Sequence, residues 1–238
     1  MSDIEFRDLR GMAEFRAAER LQADVWGEGD MPDPADLMMV IQAEGGLVGG
    51  AFLTGDLVGY VFGFPSATPN VQHSHRLAVL PQMRGRGLGA RLKWYQRQWC
   101  LARGIRHVRW TFDPMRPLNA NLNLAHLGAR SNTYHEDYYG AMGGINEGLP
   151  SDRLLVDWHL DHAAVTARAA GRGMPQAHSA TTRISLPVFP PASLPTPQQA
   201  AAQHRLRQDF HAAFASGLEV IGFDLARNDY LLGPVNAD

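Results

Sequence analysis

Apolar and polar positions alternate over Ile4-Glu5-Phe6-Arg7, which predicts a half-buried strand. Met12, Phe15, Ala18, Leu21, Ala23 and Val25 then recur at helical spacing, so an amphipathic helix is expected over about 11–25. Gly27-Glu28-Gly29-Asp30 breaks it. Pro32-Asp33-Pro34-Ala35-Asp36 reads as the acidic first turn of a second helix carrying Leu37, Met38, Val40 and Ile41. The apolar runs 46–53 and 57–64 flank Thr54-Gly55-Asp56 and predict a β-hairpin. Their glycines imply little side-chain packing at those points, or a close approach of backbone or ligand. Residues 71–80 form the next strand, 88–103 a helix ended by Gly104, and 107–112 a strand. A short helix over 118–127 ends at Gly128, and 154–158 is another strand.

Beyond His162 the composition shifts to Ala, Gly, Thr and Pro. Residues 167–180 read as a connection and 183–189 as a strand. A proline-rich linker follows, with Pro187, Pro190, Pro191, Pro195 and Pro197 between 187 and 197. A helix over 198–215, capped by Gly217, precedes a last strand over 218–223. The order of elements is that of a mixed α/β plan around one twisted sheet flanked by helices. The expected division is a core over 1–165 and a C-terminal helix-strand extension over 166–238 packed on it.

Chemistry concentrates where the 71–80 strand hands over to the 88–103 helix, in Leu77-Ala78-Val79-Leu80-Pro81-Gln82-Met83-Arg84-Gly85-Arg86-Gly87-Leu88-Gly89. Glycine permits a tight turn and a close ligand. The first amides of the following helix lack intrahelical partners and favour an anion, typically a phosphate. The run lacks the Lys-Ser/Thr ending of an NTPase phosphate loop, and Ala90 stands where a dinucleotide fingerprint needs its third glycine.

This run resembles the signature of the GNAT superfamily, the acyl-CoA-dependent N-acyltransferases, through Leu77, Val79, Pro81, Arg84, Gly85, Gly87 and Gly89. The order of elements from residue 4 to about 158 is similar as well. A narrower likeness, to a little-characterised GNAT branch, runs through Trp110-Thr111-Phe112-Asp113-Pro114, the Asn-rich helix, Thr133-Tyr134 and Tyr139-Gly140, and extends to the C-terminal extension. The resemblance implies a GNAT fold and an acyl-CoA donor, acetyl-CoA or another, with succinyl-CoA suggested by the narrower branch. It implies that the amides of 84–89 hold the CoA pyrophosphate, with Arg84 and Arg86 adding charge. The backbone of Leu77, Ala78 and Val79 would bond the pantetheine arm. Asn119 and Asn123 are carried over as further CoA contacts, although Pro117 occupies the register of the usual helix asparagine. The family's usual tyrosine is replaced by Leu124, so Tyr134, Tyr138 and Tyr139 become the candidates for protonating the thiolate.

Acyl transfer to an amine also needs a base. His73 and His75 alternate with Ser74 and so share a face of the strand that leads to the donor site. Histidine titrates near neutrality, and His75 is the candidate base, with His73 and Glu44 as candidate acceptor contacts. Structural roles are the alternative for each. Asp113 fits a turn-forming role before Pro114, and Cys100 that of a small buried side chain.

The net charge of −2 gives no electrostatic reason to bind nucleic acid. A single cysteine rules out an internal disulfide and a cysteine-based zinc site, and no metal is expected. No apolar run reaches the length of about eighteen residues needed for a membrane span. The first residues have neither signal-peptide nor transit-peptide character, so a cytoplasmic location is expected. The expected function is acyl transfer to a primary amine of a small molecule such as an amino acid. A protein N-acetyltransferase and a non-catalytic acyl-CoA sensor or interaction module are the alternatives, and a homodimer contact through the extension stays open.

Overall fold

The computed structural model describes residues 4–27, 29–140, 148–172, 180–187 and 197–235. Contacts group the chain into two compact units, Met1–Arg109 and Trp110–Asp238. The division falls inside a strand, and residues 166–238 share a unit with 110–165.

The first unit runs β1 (Ile4–Asp8), α1 (Gly11–Trp26), α2 (Ala35–Ala43), β2 (Leu47–Leu53), β3 (Asp56–Pro65), β4 (Val71–Val79), a single 3₁₀ turn (Pro81–Met83), α3 (Leu88–Leu101) and the start of β5 (His107–Phe112). Strands β1 to β4 pair antiparallel in sequence order, and β5 joins β4 in parallel. Strand alternation decides which helix covers which face. Tyr60 and Phe62 of β3 join Phe15, Ala18, Leu21 and Met38 of α1 and α2 in one buried cluster. Gly59, just before Tyr60, and Gly63, just after Phe62, lie under α3. A Cβ on Gly59 would stand 3.2 Å from Leu92, and one on Gly63 would stand 3.0 Å from Gln96.

Between α3 and β4 lies a buried polar layer. The Lys93 ammonium donates to Ser74 Oγ at 3.0 Å and to Gln96 Oε1 at 2.7 Å. The Gln96 amide donates to Gln72 Oε1 at 2.7 Å, and the Cys100 thiol donates to the same oxygen at 3.3 Å. Burial pushes the Lys93 amine down to about 7. The unfolded chain therefore holds a proton that the folded chain lacks between pH 7 and 10.5. Stability is expected to rise with pH across that window. Lys93→Met should flatten the rise and stabilise the protein near pH 7, by an amount on the order of a few kcal/mol. Denaturant melts from pH 6 to 10 on both proteins check this.

The second unit continues β5 and adds α4 (Pro117–Ala120), a π-helical turn (Asn121–His126), β6 (Arg130–His135), β7 (Arg153–His159), α5 (Ala163–Ala169), β8 (Thr182–Ser185), α6 (Pro197–Ala215), β9 (Leu218–Asp224) and β10 (Asp229–Pro234). Its strands run in the order β7-β6-β9-β10-β8. Rings of β6, α6, β9 and β10 form its aromatic core. Phe210 lies 5.6 Å from Tyr134 and 5.0 Å from Tyr230, and Tyr230 lies 4.9 Å from Phe223.

Three elements escaped the sequence pattern. Strand β6, Arg-Ser-Asn-Thr-Tyr-His, buries Ser131 and Tyr134, three residues apart, and its register with β7 shifts between Arg130 and Thr133. The bulge erases the period-2 signal. Helix α5 occupies part of the stretch read as a connection, and β10 follows the strand read as the last. The expected strand over 183–189 is observed as β8. Residues 188 and 189, most of the proline-rich linker and 173–179 lie outside the described residues.

Helix α6 is tied to the β6–β7 region through a buried carboxylate. Asp152 is fully buried and accepts the Tyr134 hydroxyl at 2.7 Å and the Asp137 amide at 3.0 Å. It also receives Arg207 in a two-pronged contact at 2.9 and 3.0 Å. The remaining arm of Arg207 reaches Glu136 at 2.6 Å. Removing the carboxylate strands a phenol, a guanidinium and an amide. Asp152→Ala is therefore expected to destabilise the fold by about 3 kcal/mol, the low end for breaking a buried pair because Arg207 stays partly wet. Chemical denaturation measures this directly.

Candidate functional site

The turn between β4 and α3 presents main-chain groups. Leu80 leads into the 3₁₀ turn, and Arg84 leaves it in extended conformation. Gly85 follows at φ +77° and Gly87 at φ +69°. These left-handed conformations suit glycine. Gly87 is the N-cap of α3, so no side chain satisfies the helix's first amides. A Cβ built on Gly85 or Gly87 meets nothing within 4 Å. The result is an open cradle with N–H groups at the positive end of a 14-residue helix, suited to a pyrophosphate. Arg84 and Arg86 are exposed beside it, while buried Leu88 anchors the helix and Gly89 continues its first turn.

Strand β4 offers a second set of main-chain groups. Its ladder with β5 covers Val71 to His73 and ends at the His73–Arg109 pair. Along Ser74–Val79, including Leu77, Ala78 and Val79, its recorded partner among the described residues is β3 on the other side. An amide-bearing chain can bond to a strand edge of this kind.

His75 sits at a break in that strand. Phe62 of β3 pairs with Arg76, and the next residue, Gly63, pairs with Ser74, so His75 is the extra residue of a β-bulge. Bulges re-aim a side chain. The exposed His75 ring meets Phe62 edge-on at 5.6 Å and lies 5.7 Å from Phe64. The His73 and His75 rings stand side by side at 6.2 Å, and His73 lies 5.1 Å from Phe64. Burial, with the charges of His75, Arg109 and Lys93, pushes the His73 imidazole down to about 4, so it is neutral at pH 7.

Across from His75 stands a residue that the sequence pattern assigned only to a helix start. Asp33 Oδ1 lies 3.3 Å from His75 Nε2. Arg76 Nε lies 3.0 Å from Asp33 Oδ2 in an ion pair, and Arg76 also pairs with Asp30. The Arg76 guanidinium donates to the Met31 carbonyl at 3.0 Å and sits 4.8 Å over the Trp26 ring. Burial pushes the Asp33 carboxyl up, but His75 and Arg76 outweigh it and hold it below its ordinary value. Tyr60, fully buried, has a hydroxyl without a hydrogen-bond partner and feels the charges of Arg76, Asp33 and Asp30. No motif marks this cluster. The acidic pair in the 27–36 break was its only sequence signal.

The other predicted residues occupy varied settings. Glu44 is exposed at the C-terminal end of α2. Asn119 is exposed in α4, whereas Asn123 is buried in the π-helical turn. Asp113 Oδ1 accepts the Met115 amide at 2.8 Å, the turn-forming contact expected of it. Tyr134 is buried, and burial, reinforced by Asp152, raises its phenol well above the ordinary value. Its hydroxyl donates to that carboxylate at 2.7 Å. Tyr138 and Tyr139 are half-exposed, with ring centroids 4.8 Å apart and the Tyr139 hydroxyl 3.1 Å from Thr111 Oγ1. A polar cleft of about 310 Å³ lies in the second unit between Arg130, Asp157, His159, His162 and Glu219, and none of the predicted residues lines it. Among the described residues, no group of three His, Cys, Asp or Glu side chains could hold a metal ion, and no helix is long and apolar enough to cross a membrane.

Residues 12–128 match the acetyltransferase (GNAT) family model. No curated protein matches the chain in sequence. Among solved structures, the ribosomal-protein-S18-alanine N-acetyltransferase of Escherichia coli is similar at 16% identity and a TM-score of 0.56, covering 68% of this chain and 96% of that one. The yncA protein of Salmonella typhimurium, solved with acetyl-CoA, is similar at 18% identity and a TM-score of 0.54, covering 68% and 96%. The phosphinothricin acetyltransferase of Sinorhizobium meliloti, in complex with AcCoA, is similar at 18% identity and a TM-score of 0.52, covering 65% and 86%. These likenesses establish the fold. Residues 12–128, with the glycine cradle between β4 and α3 inside the match, carry an acetyltransferase (GNAT) domain.

Proposed function

We propose that the protein transfers an acyl group from acetyl-CoA or a related acyl-CoA, succinyl-CoA included, to the primary amine of a small molecule such as an amino acid. The observation that carries this reading is the Gly85–Gly87 cradle at the start of α3, directly after β4, whose ladder with β5 ends at the His73–Arg109 pair. Two of the similar structures contain acetyl-CoA, which supports the donor. The amides of 84–89 hold the pyrophosphate, apart from that of Arg84, which donates to the Pro81 carbonyl, and Arg84 and Arg86 add charge. The main chain of Leu77–Val79 bonds the pantetheine arm, which aligns the thioester before attack. His75 takes the proton that the amine loses as the C–N bond forms. The C–S bond breaks, and the sulfur leaves as a thiolate that gains a proton. Tyr134, Tyr138 and Tyr139 are the candidates that the sequence offers for that proton.

Thiol release from acetyl-CoA and succinyl-CoA over a panel of amines tests this reading. The panel should hold free amino acids, small polyamines and an alanine-starting peptide. The peptide tests the protein-acceptor alternative, which shares a fold with the S18-alanine enzyme. Release with free amino acids is expected. Tight CoA binding without release for any amine would make the protein a sensor.

A further inference from the structure

We propose that Asp33 is the positioning residue for His75 and that Gln22 holds Asp33 in place, so that a Gln22–Asp33–His75 relay presents one imidazole nitrogen to the acceptor amine. The proposal rests on the transferase reading above. The relay starts in the core. Gln22 of α1 is 1% exposed, and its side-chain amide grips the main chain of Asp33 from both sides. The Asp33 amide donates to Gln22 Oε1 at 2.8 Å, and Gln22 Nε2 donates to the Asp33 carbonyl at 3.3 Å. Two residues on, the Ala35 amide donates to Glu19 Oε2 at 3.3 Å. Helix α1 thus fixes the α1–α2 loop where it delivers Asp33.

An ionised carboxylate only accepts hydrogen bonds. The 3.3 Å contact between Asp33 Oδ1 and His75 Nε2 therefore requires the proton on Nε2, which leaves Nδ1 as the proton acceptor. The carboxylate also stabilises the imidazolium that forms once the amine proton is taken. The charged and titratable groups around His75 are Asp33 and Asp30 from the loop, Arg76 and His73 from β4, and Tyr60 from β3. Arg76 is neutralised by Asp30 and Asp33, and His73 is neutral at pH 7, so Asp33 is the anion that acts on the ring.

The test is a mutant cycle on kcat with CoA affinity measured alongside. Asp33→Asn should lower kcat about 10²-fold and leave CoA affinity unchanged. Gln22→Leu should lower kcat about 10-fold, because the carboxylate is loosened rather than lost. In a His75→Ala background, Asp33→Asn should cost less than about 2-fold more. Wild-type turnover of Asp33→Asn, or an equal loss with and without His75, would overturn the proposal. A second readout separates this from failure of the transferase reading. Imidazole ¹⁵N NMR should show the Nε2–H tautomer of His75 in the wild type and its loss in Asp33→Asn. If no amine releases thiol, the transferase reading fails, and an unchanged tautomer would remove the relay as well.

Discussion

Replacing Gly87 by valine is expected to weaken CoA binding by at least ~10²-fold while the protein stays folded. The magnitude corresponds to losing about two amide–phosphate hydrogen bonds, at about 1.5–3 kcal/mol for each bond to a charged group. The cause is backbone conformation. Gly87 stands at φ +69°, and a β-branched residue there costs about 1–2 kcal/mol. The chain relieves that strain by turning the amides at the start of α3 away from the cradle. A Cβ at this position meets no protein atom within 4 Å, so the fold itself is not overpacked. Gly104, just beyond the other end of α3, supplies the control. It stands at φ +75° with equally open surroundings. Gly104→Val should lower the melting temperature to a similar degree and leave CoA affinity intact. Calorimetry on both variants separates loss of the phosphate site from general strain. Retained affinity in Gly87→Val would count against the cradle.

The second large effect is expected at His75. His75→Ala should reduce turnover about 10²–10³-fold and change CoA affinity less than about 2-fold. The split follows from placement. The proposed CoA contacts on β4 and α3 are main chain and would survive the change, whereas the proposed proton acceptor is a side chain at the bulge opposite Phe62–Gly63. His73→Ala should have the smaller effect on turnover, because its half-buried ring is already neutral at pH 7 and packs on Phe64. Steady-state rates and CoA titrations on both variants check the contrast. Equal turnover for His75→Ala and wild type would remove His75 as the base.

The glycine turn was legible in the sequence because it is local. A strand, a proline, two glycines in left-handed turns and a helix start occupy thirteen consecutive residues, and main-chain chemistry follows from that order alone. The cluster around His75 was only partly legible. Alternation put His73 and His75 on one face, and the rings do stand together. Asp33 lies 42 residues before His75, and Gln22 lies 11 before Asp33, so no spacing rule links them. The fate of Tyr134 was hidden in the same way. Its partner Asp152 is 18 residues on, and Arg207, which holds Asp152, is 55 further. The helix expected over 118–127 was found, but its second half is a π-helical turn, with the Leu127 amide bonded to the Leu122 carbonyl at 3.0 Å. Five-residue closure leaves no mark in the pattern of apolar positions.

The central claim is that the turn between β4 and α3 binds the pyrophosphate of an acyl-CoA. Calorimetric titration of acetyl-CoA against acetyl-pantetheine, which keeps the thioester arm but lacks the pyrophosphate and nucleotide, tests it most directly. Acetyl-CoA is expected to bind at one site at least ~10²-fold more tightly than acetyl-pantetheine, and Gly87→Val should erase most of that difference. Equal affinity for the two ligands, or no binding of acetyl-CoA, would contradict it.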